Sequence, residues 1–270
     1  MENVYEEIKN AQRIVVKVGT STLTYETGKL NLKRMDRLAM ILSDLHNSGK
    51  EIILVSSGAI GVGVGKLGLP ERPSETRYKQ AVAAAGQCEL MYLYDKFFSE
   101  YNNTVAQILL TKEDIAIPRR KRNTQNTFNA LIEMGMIPIV NENDTIAVDE
   151  IEFGDNDTLS AIVADFVDAD LLVLFSDIDG FYDCDPHSCP DASLIRTVYD
   201  IAPVRGLAGG VGSNRGTGGM ITKLDAAELA TDAGINMIIA NGNNVDSLYD
   251  ILDGKQVGTL FVSKNHMPGC

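Results

Sequence analysis

Two lysines stand where loops rich in small residues meet regular structure, and both settings suit an anion. In Gly216-Thr-Gly-Gly-Met-Ile-Thr-Lys223 a glycine-rich loop delivers Lys223 to the start of a segment with helical spacing. Glycines let backbone N–H groups approach an anion closely, a helix N-terminus adds partial positive charge, and the lysine adds a full one. Lys17 sits in Arg13-Ile-Val-Val-Lys-Val-Gly-Thr-Ser-Thr22, where an apolar run breaks into glycine and hydroxyl residues. Two such lysines imply that phosphate is held, and together they suggest phosphoryl transfer.

Three further clusters carry polar chemistry. Asn141-Glu-Asn-Asp144 and Gly154-Asp-Asn-Asp157 group amides with carboxylates. Such groups accept hydrogen bonds from an amino-acid ammonium, and they equally suit Mg²⁺, which prefers oxygen ligands. An Asx turn and N-cap would explain Asp155 alone, but two clusters less well. Phe175-Ser-Asp-Ile-Asp-Gly-Phe-Tyr182 fits nucleotide or metal-phosphate contacts at a strand end, or an ordinary turn. Val55-Ser-Ser-Gly-Ala-Ile-Gly-Val-Gly-Val-Gly65 puts small residues where a substrate could meet backbone. Its Gly63-Val-Gly-Lys-Leu-Gly68 matches the dinucleotide fingerprint only formally. No strand runs directly into it, and the acid about 20 positions on, Glu89, falls in a helical pattern, so a close-packed glycine turn is the better reading.

The elements that must position these groups alternate. Apolar, β-branched runs at 14–18, 52–55, 105–110, 137–140, 171–175, 237–240 and 259–262 read as strands. Segments 32–45, 76–98, 124–134, 158–167 and 224–231 have helical spacing. Alternating strand and helix predicts an α/β fold with a mainly parallel sheet covered on both faces, with ligands beyond the carboxyl ends of the strands. A soft boundary near 153–156 divides the chain into lobes of 1–154 and 155–270. The tail from 263 is polar and expected to fray.

Bulk properties exclude several classes. The 270 residues carry 37 acidic against 24 basic side chains, a net charge of −13, which disfavours nucleic acid and anionic lipid as partners. No apolar run approaches the roughly 20 residues of a membrane span and the acidic start lacks a signal-peptide pattern, so a cytoplasmic protein is expected. The basic run Arg119-Arg-Lys-Arg122 reads as a solvated loop, with inter-subunit contact or substrate steering as alternatives. Cys88, Cys184, Cys189 and Cys270 read as reduced thiols, and no metal site is expected of them. His46, His187 and His266 have no visible partner for general-base work. P-loop, protein-kinase and nucleophile-elbow motifs are missing.

Taken in order, Lys17-Val-Gly-Thr-Ser, Val55-Ser-Ser-Gly-Ala-Ile, Asn141-Glu-Asn-Asp, Gly154-Asp-Asn-Asp, Ser176-Asp and Gly216-Thr-Gly-Gly-Met-Ile-Thr-Lys223 resemble the amino acid kinase superfamily and, within it, the glutamate 5-kinase family. The resemblance spans about residues 12–262. It implies a three-layer αβα sandwich, a glutamate-binding lobe followed by a nucleotide-binding lobe, and ATP-dependent phosphorylation of the glutamate γ-carboxylate, the first step of proline synthesis. It also implies roles by residue. Lys17, Lys223 and Asp157 would be catalytic, with Asp157 orienting the two lysines. Ser57, Asp144 and Asn156 would hold L-glutamate. Lys17, Ser176, Asp177 and the loop Thr217, Gly218, Gly219, Met220, Ile221, Thr222 and Lys223 would meet ATP, with Mg²⁺ as cofactor. Proline inhibition and a homodimer or homotetramer are implied as well. Many family members carry a C-terminal PUA domain, which is not expected in this chain. The competing expectations are a relative acting on another carboxylate, a catalytically silent sensor, and an NAD enzyme resting on the misplaced glycine match.

Overall fold

The computed structural model describes residues 2–25, 29–146, 156–186, 188–208 and 219–266. The chain divides into two compact units, Val18–Phe153 and Met1–Lys17 with Gly154–Cys270. Among the described residues there are eight β-strands and ten α-helices.

The unit Val18–Phe153 contains α2 (Thr20–Leu23), α3 (Leu32–Asn47), β2 (Glu51–Ser56), α4 (Ala59–Leu67), α5 (Thr76–Glu100), β3 (Val105–Leu110), α6 (Lys112–Ala116), α7 (Pro118–Glu133) and β4 (Ile137–Glu142). Its strands run parallel in the order β3-β4-β2, with Leu54 paired to Ile139 and Gln107 also opposite Ile139. Ile52, Ile53, Leu54 and Val55 are all buried, the continuous apolar run of a strand covered on both faces.

The other unit contains α1 (Glu2–Asn10), β1 (Arg13–Val18), α8 (Asn156–Phe166), β5 (Leu171–Ser176), β6 (Thr197–Val198), α9 (Met220–Asp232), β7 (Asn236–Asn241), α10 (Ser247–Leu252) and β8 (Thr259–Phe261). Its strand order is β1-β5-β7-β8-β6. β5 and β7 pair in parallel with Leu171 opposite Asn236, β6 and β8 are parallel, and β7 and β8 are antiparallel. The start of β1 is tied down by Asp170, whose carboxylate accepts from the backbone N–H of Gln12 at 2.7 Å and of Arg13 at 2.8 Å. This explains why the first residues belong with the C-terminal part of the chain.

The expected strands and long helices are found within one or two residues at most ends, and the fold class is the expected α/β type with mainly parallel strands. Four differences have physical causes. The basic run 119–122 lies in α7, not in a loop, because Pro118 at the first helical position presets φ and needs no N–H partner. The run still faces solvent, and Arg120 pairs with Glu113 at 3.1 Å and Asp114 at 3.3 Å. The glycine-rich segment 59–67 is helix α4, not a turn, and its Gly63 faces Val82 O of α5 with no room for a Cβ. α1, α2, α6, α10 and β6 were not anticipated. All but α1 have six residues or fewer and are too short to display a period. The tail does not fray at Ser263, which is buried and donates its backbone N–H to Asn236 Oδ1 at 2.9 Å.

Candidate active site

In the unit that contains β1, three charged side chains from three elements converge. Lys17 comes from the penultimate position of β1, Asp157 from the second position of α8, and Lys223 from the first turn of α9. Lys17 is 4% exposed, Lys223 7% and Asp157 not at all. The Asp157 carboxylate forms an ion pair through one oxygen with Lys17 and through the other, at 3.1 Å, with Lys223. Thr222 Oγ also donates to Asp157 Oδ2, at 3.3 Å, and to Gly219 O at 2.8 Å. Buried charges survive only when paired, so Asp157 is what lets two ammonium groups sit inside the protein.

α9 supplies the second feature. Its N-cap is Gly219, which offers no side chain to the first N–H groups of the helix. Thirteen residues of aligned peptide dipoles end there, next to Lys223. Ammonium groups and helix N–H donors make a donor set for anions, and a polyphosphate fits it. Of the expected nucleotide-contacting residues, Gly219, exposed Ile221, half-buried Met220 and Thr222, and Lys223 lie at this helix start. Thr217 and Gly218 lie outside the described residues. Ser176 ends β5, is buried, and donates to exposed Asp177 at 3.1 Å. Asp179 accepts from Asn241 Nδ2 at 2.7 Å, which ties the turn after β5 to the end of β7.

The unit Val18–Phe153 has a small cavity open to solvent, lined by Ala59, Ala83, Gln87, Leu109, Glu142, Asn143, Asp144 and Thr145. Asn143 anchors the loop after β4 by donating its N–H to Leu110 O at 2.8 Å, and its side chain accepts from Thr145 Oγ at 2.5 Å. Of the three expected glutamate-holding residues, Asp144 lines this cavity and Ser57 lies two residues before its Ala59 wall. Asn156, the buried first residue of α8, belongs to the other unit.

The pair Ser56 and Ser57 is ambiguous in sequence, and the fold separates them. Ser56 is fully buried and its hydroxyl lies 2.8 Å from the Tyr94 hydroxyl. Burial pushes the Tyr94 phenol well above its ordinary range, so it stays neutral beside Ser56. Ser57, half-buried, leads into Gly58, whose φ of +103° opens α4 in a conformation that L side chains rarely adopt.

Two polar cavity residues, Gln87 and Thr145, were not singled out from the sequence. Gln87 follows Gly86 on α5, and the signal was the run of small residues before it. A Cβ on Gly86 would lie 1.8 Å from Ala59 O, and one on Gly63 would lie 2.1 Å from Val82 O. The backbones of α4 and α5 therefore touch at two levels one helical turn apart. That contact brings Gln87 to the cavity beside Ala59.

A lysine pair held on one buried carboxylate at strand and helix ends of an α/β fold suits the binding of phosphate. The family profile described as the Amino acid kinase family matches residues 12–241, and the chain belongs to that family. The curated relatives it is similar to are named more narrowly. The glutamate 5-kinase of Clostridium perfringens (strain 13 / Type A) is 58% identical over 262 residues, covering 95% of this chain and 97% of that protein. The glutamate 5-kinase of Listeria innocua is 55% identical over 264 residues, covering 96% of each. Among solved structures, the carbamate kinase of Giardia lamblia bound to AMP-PNP matches with a TM-score of 0.67 at 16% identity, over 95% of this chain and all of that one. The UMP kinase of Bacillus anthracis matches with a TM-score of 0.65 at 18% identity, over 94% of this chain and 97% of that one. At these identities the structures establish the fold alone, the amino acid kinase fold.

Proposed function

We propose that this chain transfers the γ-phosphoryl group of ATP to the γ-carboxylate of L-glutamate, giving γ-glutamyl phosphate and ADP, the first step of proline synthesis. ATP use follows from membership of the kinase family. The observation that carries the reading is the Lys17, Asp157 and Lys223 cluster, which meets the electrostatic demand of phosphoryl transfer without a histidine. The glutamate carboxylate is ionised at neutral pH and needs no general base. One of its oxygens bonds to the γ-phosphorus as the bond to the β,γ-bridging oxygen breaks, and ADP departs with that electron pair. The protein's task is to bring anions together and to stabilise charge on the transferring group and leaving oxygen.

Lys17 and Lys223 hold phosphate oxygens, and Asp157 fixes where both ammonium groups point. The N-terminus of α9 and the hydroxyl of Thr222 border the same phosphates, while Ser176 and Asp177 meet the nucleoside part. Ser57, Asp144 and Asn156 hold glutamate, with the carboxylate of Asp144 accepting from the ammonium group. Mg²⁺ would come bound to ATP and would neutralise part of its charge; among the described residues no cluster of three acids or histidines could hold it by itself. The assignment of residues 1–154 to glutamate and 155–270 to nucleotide belongs to this proposal. So do inhibition by proline, a homodimer or homotetramer, and a cytoplasmic site of action; these rest on the family resemblance.

The test is ADP release from Mg·ATP with glutamate, aspartate, acetylglutamate or no acceptor, with hydroxylamine present to trap an acyl phosphate. Hydroxamate formed with glutamate alone, and abolished by EDTA, is the expected result. Turnover with another acid would move the chain elsewhere in the family, and ATP binding without turnover would leave a sensor.

A further inference from the structure

Gln87 lines the same cavity as Asp144, although none of the sequence motifs includes it. It is 7% exposed, the fourth of α5's seven buried residues, directly after Gly86, which brings that helix against α4. Its orientation follows from a chain of hydrogen bonds that begins at the backbone. The Glu142 N–H, which can only donate, lies 2.9 Å from the Asn141 side chain, so the atom it meets is Oδ1. Asn141 then presents Nδ2 to Gln87 at 2.9 Å, and the atom that accepts there is Gln87 Oε1. The two amides are thereby fixed without ambiguity of their oxygen and nitrogen ends. Gln87 Nε2 is left on the other branch of the amide, with no hydrogen bond among the described residues and not sealed from solvent.

The remaining polar lining explains what that amide is for. Glu142 and Asp144 are acids, suited to an ammonium group but repulsive to a carboxylate. A substrate carrying one ammonium and two carboxylates needs donors in the same cavity. Gln87 Nε2 is a neutral two-proton donor in a wall otherwise made of acids, small apolar residues, Asn143 and Thr145.

We infer that Gln87 donates from Nε2 to a carboxylate oxygen of the bound amino acid, with Asn141 as the positioning residue that holds the donor end inward. This deepens the proposed function and rests on glutamate being the substrate. Gln87 sets affinity and selectivity for a carboxylate at that point, and it takes no part in the bonds made and broken.

The deciding experiment compares Gln87→Glu with the unaltered protein in the hydroxamate assay, with glutamate and ATP varied separately. Gln87→Glu keeps an oxygen to accept from Asn141, so the buried contact survives, but it turns the donor into a negative charge. Loss of one hydrogen bond to a charged group corresponds to about tenfold or more, so the KM for glutamate is expected to rise at least that much. The KM for ATP should stay within twofold, which also reports an intact fold. Gln87→Met, which keeps the volume and removes the donor, is the second variant and decides the matter if Gln87→Glu does not fold. An unchanged glutamate KM in a folded variant, beside an unaltered protein that does phosphorylate glutamate, overturns the role of Gln87 alone. An unaltered protein that forms no hydroxamate with glutamate overturns the proposed function, and this inference with it.

Discussion

Lys223 enters its site from the first turn of α9 and stops 3.1 Å from Asp157, which also holds Lys17. If Lys223 stabilises charge that grows during transfer, its contribution appears in the chemical step and not in glutamate binding. Lys223→Ala is expected to lower kcat by about 10²–10³-fold, the scale of losing one preorganised donor, with the KM for glutamate changed little. Steady-state kinetics decide this, and an unchanged kcat refutes the role. Asp157→Ala is a different experiment, because it leaves two buried lysines without the carboxylate they share. Breaking a buried ion pair by removing one partner costs about 3–5 kcal/mol, so denaturant unfolding should show a loss of at least about 3 kcal/mol together with lost turnover. An Asp157→Ala protein of undiminished stability would show that the lysines are not held by this carboxylate. Both lysines were legible in sequence from their loop settings. The carboxylate they share was proposed only by family resemblance, since nothing in local spacing joins residues 66 positions apart.

At the scale of elements, the contact between α4 and α5 is the feature that shapes the cavity. Gly86 and Gly63 leave no room for a methyl group, each facing a backbone carbonyl of the opposite helix. Gly86→Ala must push α4 away, and overpacking of this kind costs about 1–3 kcal/mol. Because Ser57 and Gly58 lead directly into α4 and Gln87 follows Gly86, the displacement should also raise the KM for glutamate while leaving that for ATP alone. Thermal unfolding and kinetics on one preparation test both parts, and an unshifted Tm would mean that the helices are not in contact at Gly86. The strands and long helices were legible because buried parallel strands and covering helices print strong periods. α4 was not, because glycine is a poor helix former whose presence here is explained only by the neighbour it touches.

At the scale of the whole molecule, a ligand that binds only the folded chain must stabilise it. Mg·ATP at about a hundredfold over its Kd adds about 2.7 kcal/mol, and a domain of this size moves by about 2–4 °C per kcal/mol, so Tm should rise by roughly 5–10 °C. The same concentration of NAD should leave Tm where it was; a shift with NAD and none with Mg·ATP would reverse the choice between nucleotides. No helix among the described residues is long and apolar enough to cross a membrane. The sequence by itself determined the family, the α/β order of elements and the residue types available for chemistry, because motifs and hydrophobic periods are local properties of the chain. Only the tertiary structure decided which serine of Ser56 and Ser57 turns inward to Tyr94, that Asp157 is buried completely between two lysines, and that Gln87 lines the cavity while its Oε1 accepts from Asn141. Those are contacts between residues distant along the chain, and burial and hydrogen-bond direction come into being only when packing brings such residues together.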